Sequence, residues 1–373
     1  MSSTAPARRP RRSAAQAAPA APSPSSPRGL DLALQGGGSH GAFTWGVLDA
    51  LLEDGRLRLD GVSGTSAGAM NAAVLATGYA HGGAAGAREA LSRFWAAVSG
   101  QPDCWAGTGH KPPLGQAGSA SAWMFNRDLW PGYTLWESWL RQFSPYQLNP
   151  FNFDPLRDIV AAHVDVDALR RGPLKVYVTA TSVHTGQPKV FEGEALSVQA
   201  LLASACLPQS AQTVVIDGEP YWDGGFSGNP SLWPLVYGTA SHDILLVQIN
   251  PRVHVGVPTT AIEINDRINE ITFNASLVAE MRAIAFVQKL VRQRRVDPEH
   301  YKDMRLHRVA DEAGLAPFDA SSKLNADPRL LQTLFDLGRA AGERWLTAHA
   351  DDVGVRGTLD VDEVFLADRS NKG

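Results

Sequence analysis

A serine flanked by glycines is the clearest chemical feature of this sequence. Ser66 has Gly64 two residues before it and Gly68 two residues after it. A nucleophile on a sharp strand-to-helix turn needs a strained backbone, and the glycines remove side chains that would clash there. The pattern therefore predicts a nucleophile at Ser66 in a turn that also contains Thr65 and Ala67. The alternative is an ordinary helix start that Ser66 caps.

A glycine-rich turn precedes this serine and comprises Gly36, Gly37, Gly38, Ser39, His40 and Gly41. Consecutive glycines let backbone N–H groups converge on one atom, so this turn can form an oxyanion hole for a tetrahedral intermediate. The spacing of Gly36, Gly38 and Gly41 also matches a dinucleotide-binding fingerprint. That fingerprint expects an acidic residue at the end of the second strand, whereas Asp60 precedes this strand. We favour the oxyanion hole and keep dinucleotide binding as an alternative.

Each of these turns lies where the hydrophobic pattern changes from strand to helix. The apolar run 30–34 predicts a buried strand, and apolar residues at helical spacing follow from Gly41. A second strand at 61–63 and a small-residue helix at 67–79 surround Ser66. This strand–turn–helix order is the context that a nucleophile turn requires.

Further strands and helices lead to an aspartate followed by two glycines. Residues 174–181 and 243–250 read as buried strands, and Asp217-Gly218 between apolar runs predicts a hairpin that returns to Asp223. Helical spacing predicts helices at 198–205, 268–291 and 328–349. Asp223, Gly224 and Gly225 could form only a turn, but they follow both glycine-rich motifs in order.

Together, these three motifs resemble those of the patatin-like phospholipases. The motifs are Gly-Gly-Gly-Ser-His-Gly at 36–41, Gly-Thr-Ser-Ala-Gly at 64–68 and Asp-Gly-Gly at 223–225. The resemblance covers about residues 30–251. It implies a three-layer α/β/α fold with a mainly parallel central sheet, and acyl-ester hydrolysis through an acyl-enzyme. It also implies that Ser66 is the nucleophile and that Asp223, without a histidine, accepts its proton.

His40 departs from the family pattern. Many members have Arg or Lys at this position of the glycine turn, where a cation can help to hold phosphate or an oxyanion. Histidine is only partly charged at neutral pH. The absence of Arg or Lys argues against phospholipid as the substrate more than it argues against ester hydrolysis. We favour a structural role for the His40 ring and keep a third catalytic member as the alternative.

Composition divides the chain into three parts. Residues 1–28 are a basic Ala/Pro/Ser-rich tail that we expect to be disordered, and its arginines are followed by no apolar segment of an export signal. Residues 29–251 form the predicted catalytic domain, and 252–373 a C-terminal helical extension packed on it. Within the domain, 100–153 is an insertion that we predict to be a lid over an apolar pocket, or else an aromatic-pinned loop. It contains Trp105, Trp123, Trp130, Trp136 and Trp139.

The remaining features exclude several function classes. With 373 residues and a net charge of −4, the chain can bury a large core and we expect no nucleic-acid partner. Cys104 and Cys206 form no disulfide framework or metal pattern, and we predict no metal and no cofactor. We predict a cytoplasmic protein that contacts a lipid or other acyl-ester substrate, with transient contact at a membrane surface left open. Alternatives are an esterase of storage polyesters and a non-catalytic lipid-binding protein.

Overall fold

The structure is a computed structural model that describes residues 28–100, 143–254, 256–297, 300–318 and 320–367. Most of the tryptophan-rich segment and nearly all of the N-terminal tail lie outside these residues, so the lid and the disordered tail stay predictions. The strands are β1 Arg28–Leu34, β2 Leu57–Thr65, β3 Lys175–Ser182, β4 Pro188–Phe191, β5 Val214–Ile216, β6 Glu219–Asp223, β7 Asp243–Val247 and β8 Arg305–Val309.

The helices alternate with these strands along most of the chain. They are α1 Gly41–Asp54, α2 Ala67–Gly100, α3 Pro145–Leu148, α4 Pro155–His163, α5 Val166–Arg171, α6 Val198–Ser204, α7 Trp233–Gly238, α8 Ala261–Arg292, α9 Glu312–Leu315 and α10 Pro328–His349. Short 3-10 helices include Gly38–His40, Gly224–Phe226 and Ala320–Leu324, and Asp362–Leu366 forms a π-helical turn. α2 is kinked at Gly82 and Gly83, whose backbone angles are not helical.

A single mixed sheet organises the described part of the chain. Its strand order is β5-β6-β3-β2-β1-β7-β8, with β4 pairing with β3. The five strands β3, β2, β1, β7 and β8 are parallel, whereas β4 and β6 run antiparallel to β3. The α/β fold with a mainly parallel sheet is therefore confirmed, and so is the hairpin that leads into Asp223.

Helices cover both faces of this sheet. Leu30, Leu32 and Leu34 of β1 are buried in one hydrophobic cluster, whereas Ala33 is buried in the other. This alternation follows from the two-residue period of a strand, which points successive side chains at opposite faces. The first cluster contains side chains of α1, α2 and α10, and the second contains side chains of α7 and α8. The result is the predicted three-layer α/β/α arrangement.

The C-terminal region contains a strand of the central sheet as well as the predicted helices. β8 extends the sheet beside β7, and the Arg305 guanidinium bonds both carboxylate oxygens of Asp243. α10 packs against α1, with bounds that match the predicted 328–349. β8 has five residues, of which Arg305, His307 and Arg308 are basic, so it lacks the apolar spacing that predicts a strand.

Candidate active site

The parallel register brings the predicted turns to one edge of the sheet. Leu34 at the end of β1 pairs with Gly64 of β2 on one side and with Val247 of β7 on the other. Three chain segments therefore leave the sheet side by side: the glycine turn after β1, the serine turn after β2, and residues 248–251 after β7. The carboxyl edge of parallel strands is where α/β folds place their ligand sites.

Ser66 occupies the single-residue turn between β2 and α2. Its φ is +54°, the left-handed region that costs a non-glycine residue about 1–2 kcal/mol. Its backbone N–H donates to the Ser204 hydroxyl at 2.9 Å, and that hydroxyl donates to the Thr179 carbonyl at 2.6 Å. Its carbonyl accepts the N–H of Met70 at 3.1 Å in the first turn of α2. The strained conformation is thus held from both sides.

Close backbone packing explains two of the small residues around this turn. A Cβ at Gly68 would collide with the carbonyl oxygen of Leu34, and one at Gly64 would collide with the backbone of Gly68 itself. Thr65 anchors the turn by donating its hydroxyl to the Gly228 carbonyl at 2.6 Å. Ala67 is fully buried, with its Cβ against Gly41 of the glycine turn.

The glycine turn lies directly against Ser66. A Cβ at Gly36 would come within 2.8 Å of the Ser66 Cβ. The Gly36 N–H donates to the Asn229 Oδ1 at 2.7 Å, and the Gly36 carbonyl accepts from the Asn250 Nδ2 at 2.7 Å. Gly38 has a φ of +56°, and the Lys323 carbonyl occupies the space that a Cβ would need. The turn is therefore both close to the serine and firmly held.

Hydrogen bonding narrows which N–H groups of this turn are available to an oxyanion. The N–H of Gly36 is used by Asn229, that of His40 by the Gly37 carbonyl, and that of Gly41 by the Gly38 and Ser39 carbonyls. Within the described residues, the N–H groups of Gly37, Gly38 and Ser39 have no hydrogen-bond acceptor. Of the six residues that the sequence analysis assigned to the oxyanion hole, these three remain as candidate donors.

The His40 side chain makes its observed contacts with the C-terminal region. Its Nε2 lies 2.6 Å from the Ser322 hydroxyl, and its ring packs edge-on against Phe318 at 6.2 Å. The ring is almost fully buried. These contacts favour the structural role over a third catalytic member.

Asp223 ends β6 and is fully buried. Its Oδ1 accepts the Gly225 N–H at 2.7 Å, and its backbone N–H donates to the Cys206 carbonyl at 2.7 Å. A Cβ at Gly224 would collide with the Thr179 carbonyl, so the turn after Asp223 packs directly on β3. The carboxyl group is therefore fixed by its backbone as well as by its own hydrogen bond.

The electrostatics of Asp223 are dominated by burial. Burial raises its pKa to about 7, opposed by the Gly225 N–H and by the Ser66 hydroxyl. The Ser66 hydroxyl is near enough to influence this pKa, although Asp223 Oδ2 makes no hydrogen bond of ordinary geometry with any described residue. Asp223 Oδ2 is therefore an unpaired acceptor close to the Ser66 turn.

Four residues that support this arrangement were not predicted. They are Ser204, Asn229, Asn250 and Lys323, and their side chains bond the backbone of the serine turn, the Gly36 peptide units or one another. Each lies far in sequence from the glycine turn and the serine turn, and no local pattern marks a buried amide or hydroxyl that bonds a distant backbone. Only the folded chain reveals them.

Other features of the described residues lie apart from this site. A surface groove of about 380 Å³ runs along α8 beside Arg252, and none of the predicted site residues lines it. Within the described ranges, no group of three His, Cys, Asp or Glu side chains could hold a metal ion. None of the described helices is sufficiently long and apolar to cross a membrane.

Comparisons with known proteins place this site in a family context. Residues 32–236, more than half of the 373-residue chain, match the family model described as Patatin-like phospholipase. VipD from Legionella pneumophila is similar, with 15% identity, a TM-score of 0.40 and coverage of 91% of this chain and 72% of VipD. No curated protein matches the chain.

Two further solved structures are similar at lower scores. The type III effector ExoU has 16% identity, a TM-score of 0.30, and coverage of 86% of this chain and 53% of that chain. A structure of SpcU in complex with ExoU from Pseudomonas aeruginosa has 15% identity, a TM-score of 0.27, and coverage of 84% and 53%. This chain therefore spans about half the length of the chains matched in these two structures. The family match and the observed sheet carry the fold assignment.

Proposed function

Because the chain belongs to the patatin-like phospholipase family, we propose that it is a serine acyl hydrolase that uses Ser66 and Asp223. Family membership supports lipid acyl hydrolysis as the general activity. The observation that carries the finer proposal is that the strained Ser66 turn packs against the turn after Asp223, where a Cβ at Gly224 would lie 3.0 Å from the Thr65 Cγ2. Asp223 itself is fully buried and its Oδ2 is unpaired.

The proposed reaction begins when Asp223 accepts the proton of the Ser66 hydroxyl. The Ser66 Oγ attacks the ester carbonyl, and the carbonyl electron pair moves to oxygen to give a tetrahedral oxyanion. The N–H groups of Gly37 and Gly38, with Ser39 as the third donor, stabilise that oxyanion. The intermediate then collapses, the C–O bond of the ester breaks, and the leaving alcohol takes the proton from Asp223.

Deacylation repeats these steps with water. Asp223 removes a proton from a water molecule, whose oxygen attacks the acyl-enzyme carbonyl; the acid leaves, and Ser66 regains its proton from Asp223. A free carboxylate is a weak base, but burial raises the pKa of Asp223 to about 7. A base with a pKa near the operating pH combines the right protonation state with useful proton affinity.

The substrate class follows from the family and stays part of the proposal. A phospholipid or other lipid ester in a bilayer requires transient contact between the protein and the membrane surface. An apolar storage polyester would use the same Ser66 chemistry. The dinucleotide alternative is weakened because Asn229 and Asn250 already hold the N–H and carbonyl of Gly36, the first glycine of its fingerprint.

Hydrolysis assays on the purified chain test this proposal. The substrates are phosphatidylcholine vesicles, an emulsified triacylglycerol and amorphous polyhydroxybutyrate, each with wild type, Ser66→Ala and Ser92→Ala. Ser92 is an exposed serine on α2 and is the matched control. We expect Ser66→Ala to lose at least about 10³-fold in kcat, as loss of a nucleophile does in other serine hydrolases, while Ser92→Ala matches wild type.

The outcomes separate the candidate functions. Release of fatty acid from vesicles or emulsion supports a lipid hydrolase, and release of soluble acid from the polymer alone supports the polyesterase. Hydrolysis that persists in Ser66→Ala would rule out Ser66 as the nucleophile. Vesicle binding without hydrolysis of any substrate would support the non-catalytic lipid-binding alternative.

A further inference from the structure

Two buried asparagines hold the peptide units at the start of the glycine turn. Asn229 Oδ1 accepts the Gly36 N–H, and Asn229 Nδ2 donates to the Phe273 carbonyl at 3.2 Å. Asn250 Nδ2 donates to the Gly36 carbonyl at 2.7 Å. Asn229 and Asn250 are 0% and 1% exposed, so their amides do not exchange partners with solvent. Both peptide units of Gly36 are therefore oriented by side chains from distant parts of the chain.

Lys323 holds the second of these amides. Its Nζ donates to the Asn250 Oδ1 at 2.7 Å, while its backbone carbonyl lies against Gly38. Burial lowers the pKa of Lys323, with Glu270 and Asp266 acting in the opposite direction. Burying an ammonium group is costly unless it is hydrogen-bonded. The Asn250 oxygen supplies a bond, and this bond fixes which way the Asn250 amide faces.

The backbone of Asn250 is fixed as well. Its N–H and that of Ile249 both donate to the Gln35 Oε1, at 2.9 and 3.0 Å. Gln35 directly precedes the glycine turn, and its Nε2 donates to the Asn274 Oδ1 at 3.2 Å. Asn250 thus has its main chain and both ends of its side-chain amide bonded, which leaves it one orientation toward Gly36.

The orientation of the Gly36 carbonyl decides where the next N–H points. In a planar trans peptide, the carbonyl of one residue and the N–H of the next point in opposite directions. A bond from Asn250 to the Gly36 carbonyl therefore sets the direction of the Gly37 N–H, one of the proposed oxyanion donors. Oxyanion stabilisation depends on donors that are aligned before the reaction.

We propose that Asn250, held by Lys323, is a positioning residue that aligns the Gly37 N–H for the oxyanion. This inference rests on the proposed function and extends it. Both residues lie beyond residues 32–236, so a part of the chain outside the family match completes the site. Neither side chain touches the substrate in this account; both act through the Gly36–Gly37 peptide.

Three variants test this hydrogen-bonded chain from Lys323 through Asn250 to the Gly36 carbonyl, which we call the relay. Asn250→Asp replaces the Nδ2 donor with an oxygen but keeps an acceptor for Lys323. Lys323→Met removes the ammonium group and keeps most of the side-chain length. Lys302→Met is the matched control, because Lys302 Nζ likewise donates to carbonyl oxygens, here the backbone oxygens of Thr239 and Ser241, away from the glycine turn.

The readouts are kcat and KM on a soluble p-nitrophenyl ester, with hydrogen–deuterium exchange of peptides that contain the glycine turn. We expect Asn250→Asp to lower kcat by about 10- to 100-fold, less than outright loss of an oxyanion donor, with little change in KM. Lys323→Met should lower kcat less, because Asn250 remains. Both should speed exchange in the turn, and Lys302→Met should change neither readout.

Two results would overturn the relay. One is a folded Asn250→Asp or Lys323→Met protein with wild-type kcat and wild-type exchange in the turn. The other is an equal fall in kcat in Lys302→Met, which would indicate general destabilisation. Should Asn250→Asp fail to fold, Lys323→Met decides by the same criteria. Absence of Ser66-dependent hydrolysis in wild type would refute the proposed function instead, and the exchange measurement would then decide the relay alone.

Discussion

At the scale of single residues, the site is built from states that are unfavourable in isolation. Ser66 holds a left-handed backbone conformation, and Asp223 holds a carboxyl group away from water. Such states persist only where the surrounding structure enforces them, and they concentrate at functional sites. Here the Ser204 hydroxyl holds the Ser66 N–H, and the Gly225 N–H holds the Asp223 carboxylate. Both unfavourable groups serve the proposed proton transfer from Ser66 to Asp223.

The raised pKa of Asp223 predicts how activity depends on pH. A base must be deprotonated to act, and burial raises the pKa of Asp223 to about 7. We expect kcat/KM to rise about tenfold per pH unit below that value and to level off above it. The measurement is a rate profile from pH 5 to pH 9 on a neutral ester. A flat profile over this range would contradict the assignment of Asp223 as the base.

The same pKa predicts an effect on stability. The folded-state pKa of about 7 lies above the ordinary value of 3.8, so Asp223 favours folding less as pH rises from about 4 to 7. Asp223→Asn removes this ionisation. The free energy of unfolding of Asp223→Asn, minus that of wild type, should therefore be larger at pH 8 than at pH 4. The increase should reach up to a few kcal/mol, since each pKa unit corresponds to about 1.4 kcal/mol.

Thermal or denaturant unfolding of both proteins at pH 4 and pH 8 measures this difference. Asp31 and Glu280, whose pKa values burial also raises to about 7, remain in both proteins and cancel in the comparison. Asp217→Asn is the matched control for the substitution itself, because Asp217 is exposed in the hairpin turn. An Asp223→Asn difference that is the same at both pH values would contradict the burial argument.

At the scale of elements, three separate segments of the chain hold the glycine turn. Asn229 bonds it from just after β6, Asn250 from just after β7, and Lys323 lies on it from a 3-10 helix ahead of α10. The turn is therefore not a free loop on top of the sheet. Its conformation depends on segments that follow strands far away in the sequence.

Two glycines with positive φ allow a paired test of this dependence. Gly218→Ala should cost about 1–2 kcal/mol from backbone strain alone, because nothing lies near its missing side chain. Gly38→Ala carries the same strain and also collides with the Lys323 carbonyl, which should add about 1–3 kcal/mol and lower kcat. Unfolding and steady-state kinetics measure both effects. Equal costs for the two variants would show that the C-terminal segment does not press on the turn.

Part of this site could be predicted from the sequence and part could not. The two parts differ in whether their contacts are local in the chain. Ser66 and its flanking glycines follow a local rule, because a sharp turn needs small residues beside it. Asp223 was identified by its place in the order of the family's motifs. Sequence spacing also identified the hairpin and the bounds of α10. Asn250 and Lys323 obey no local rule, because their contacts arise from strand order. The bond from Asn229 to Gly36, which removes one predicted oxyanion donor, was invisible for the same reason.

At the scale of the whole molecule, the family-matched residues 32–236 and the C-terminal region pack together around one sheet. β8 completes the sheet beside β7, and α10 crosses α1 so closely that a Cβ at Gly46 or Gly338 would collide with the facing helix backbone. α1 begins at the end of the glycine turn. The close crossing of α1 and α10 therefore holds the Lys323 segment, which precedes α10, against the glycine turn.

Enlarging a residue at this helix crossing tests the connection. Gly338→Ala would place a methyl group on the Phe43 carbonyl, which should cost about 1–3 kcal/mol or more of stability. Gly342→Ala is the graded control on the same helix, because its nearest neighbour would be the Ala50 Cβ at 3.1 Å. Thermal unfolding and kcat are the measurements. A Gly338→Ala protein as stable and as active as Gly342→Ala would contradict the close crossing.

The central claim is that Ser66 is a nucleophile activated by Asp223, and covalent labelling tests it most directly. A fluorophosphonate probe is incubated with wild type, Ser66→Ala and Asp223→Asn, with detergent included so that a closed site does not mask reactivity. We expect labelling of wild type, none of Ser66→Ala, and labelling of Asp223→Asn slowed by about 100-fold, the contribution typical of a general base. Equal labelling of wild type and Ser66→Ala would contradict the account.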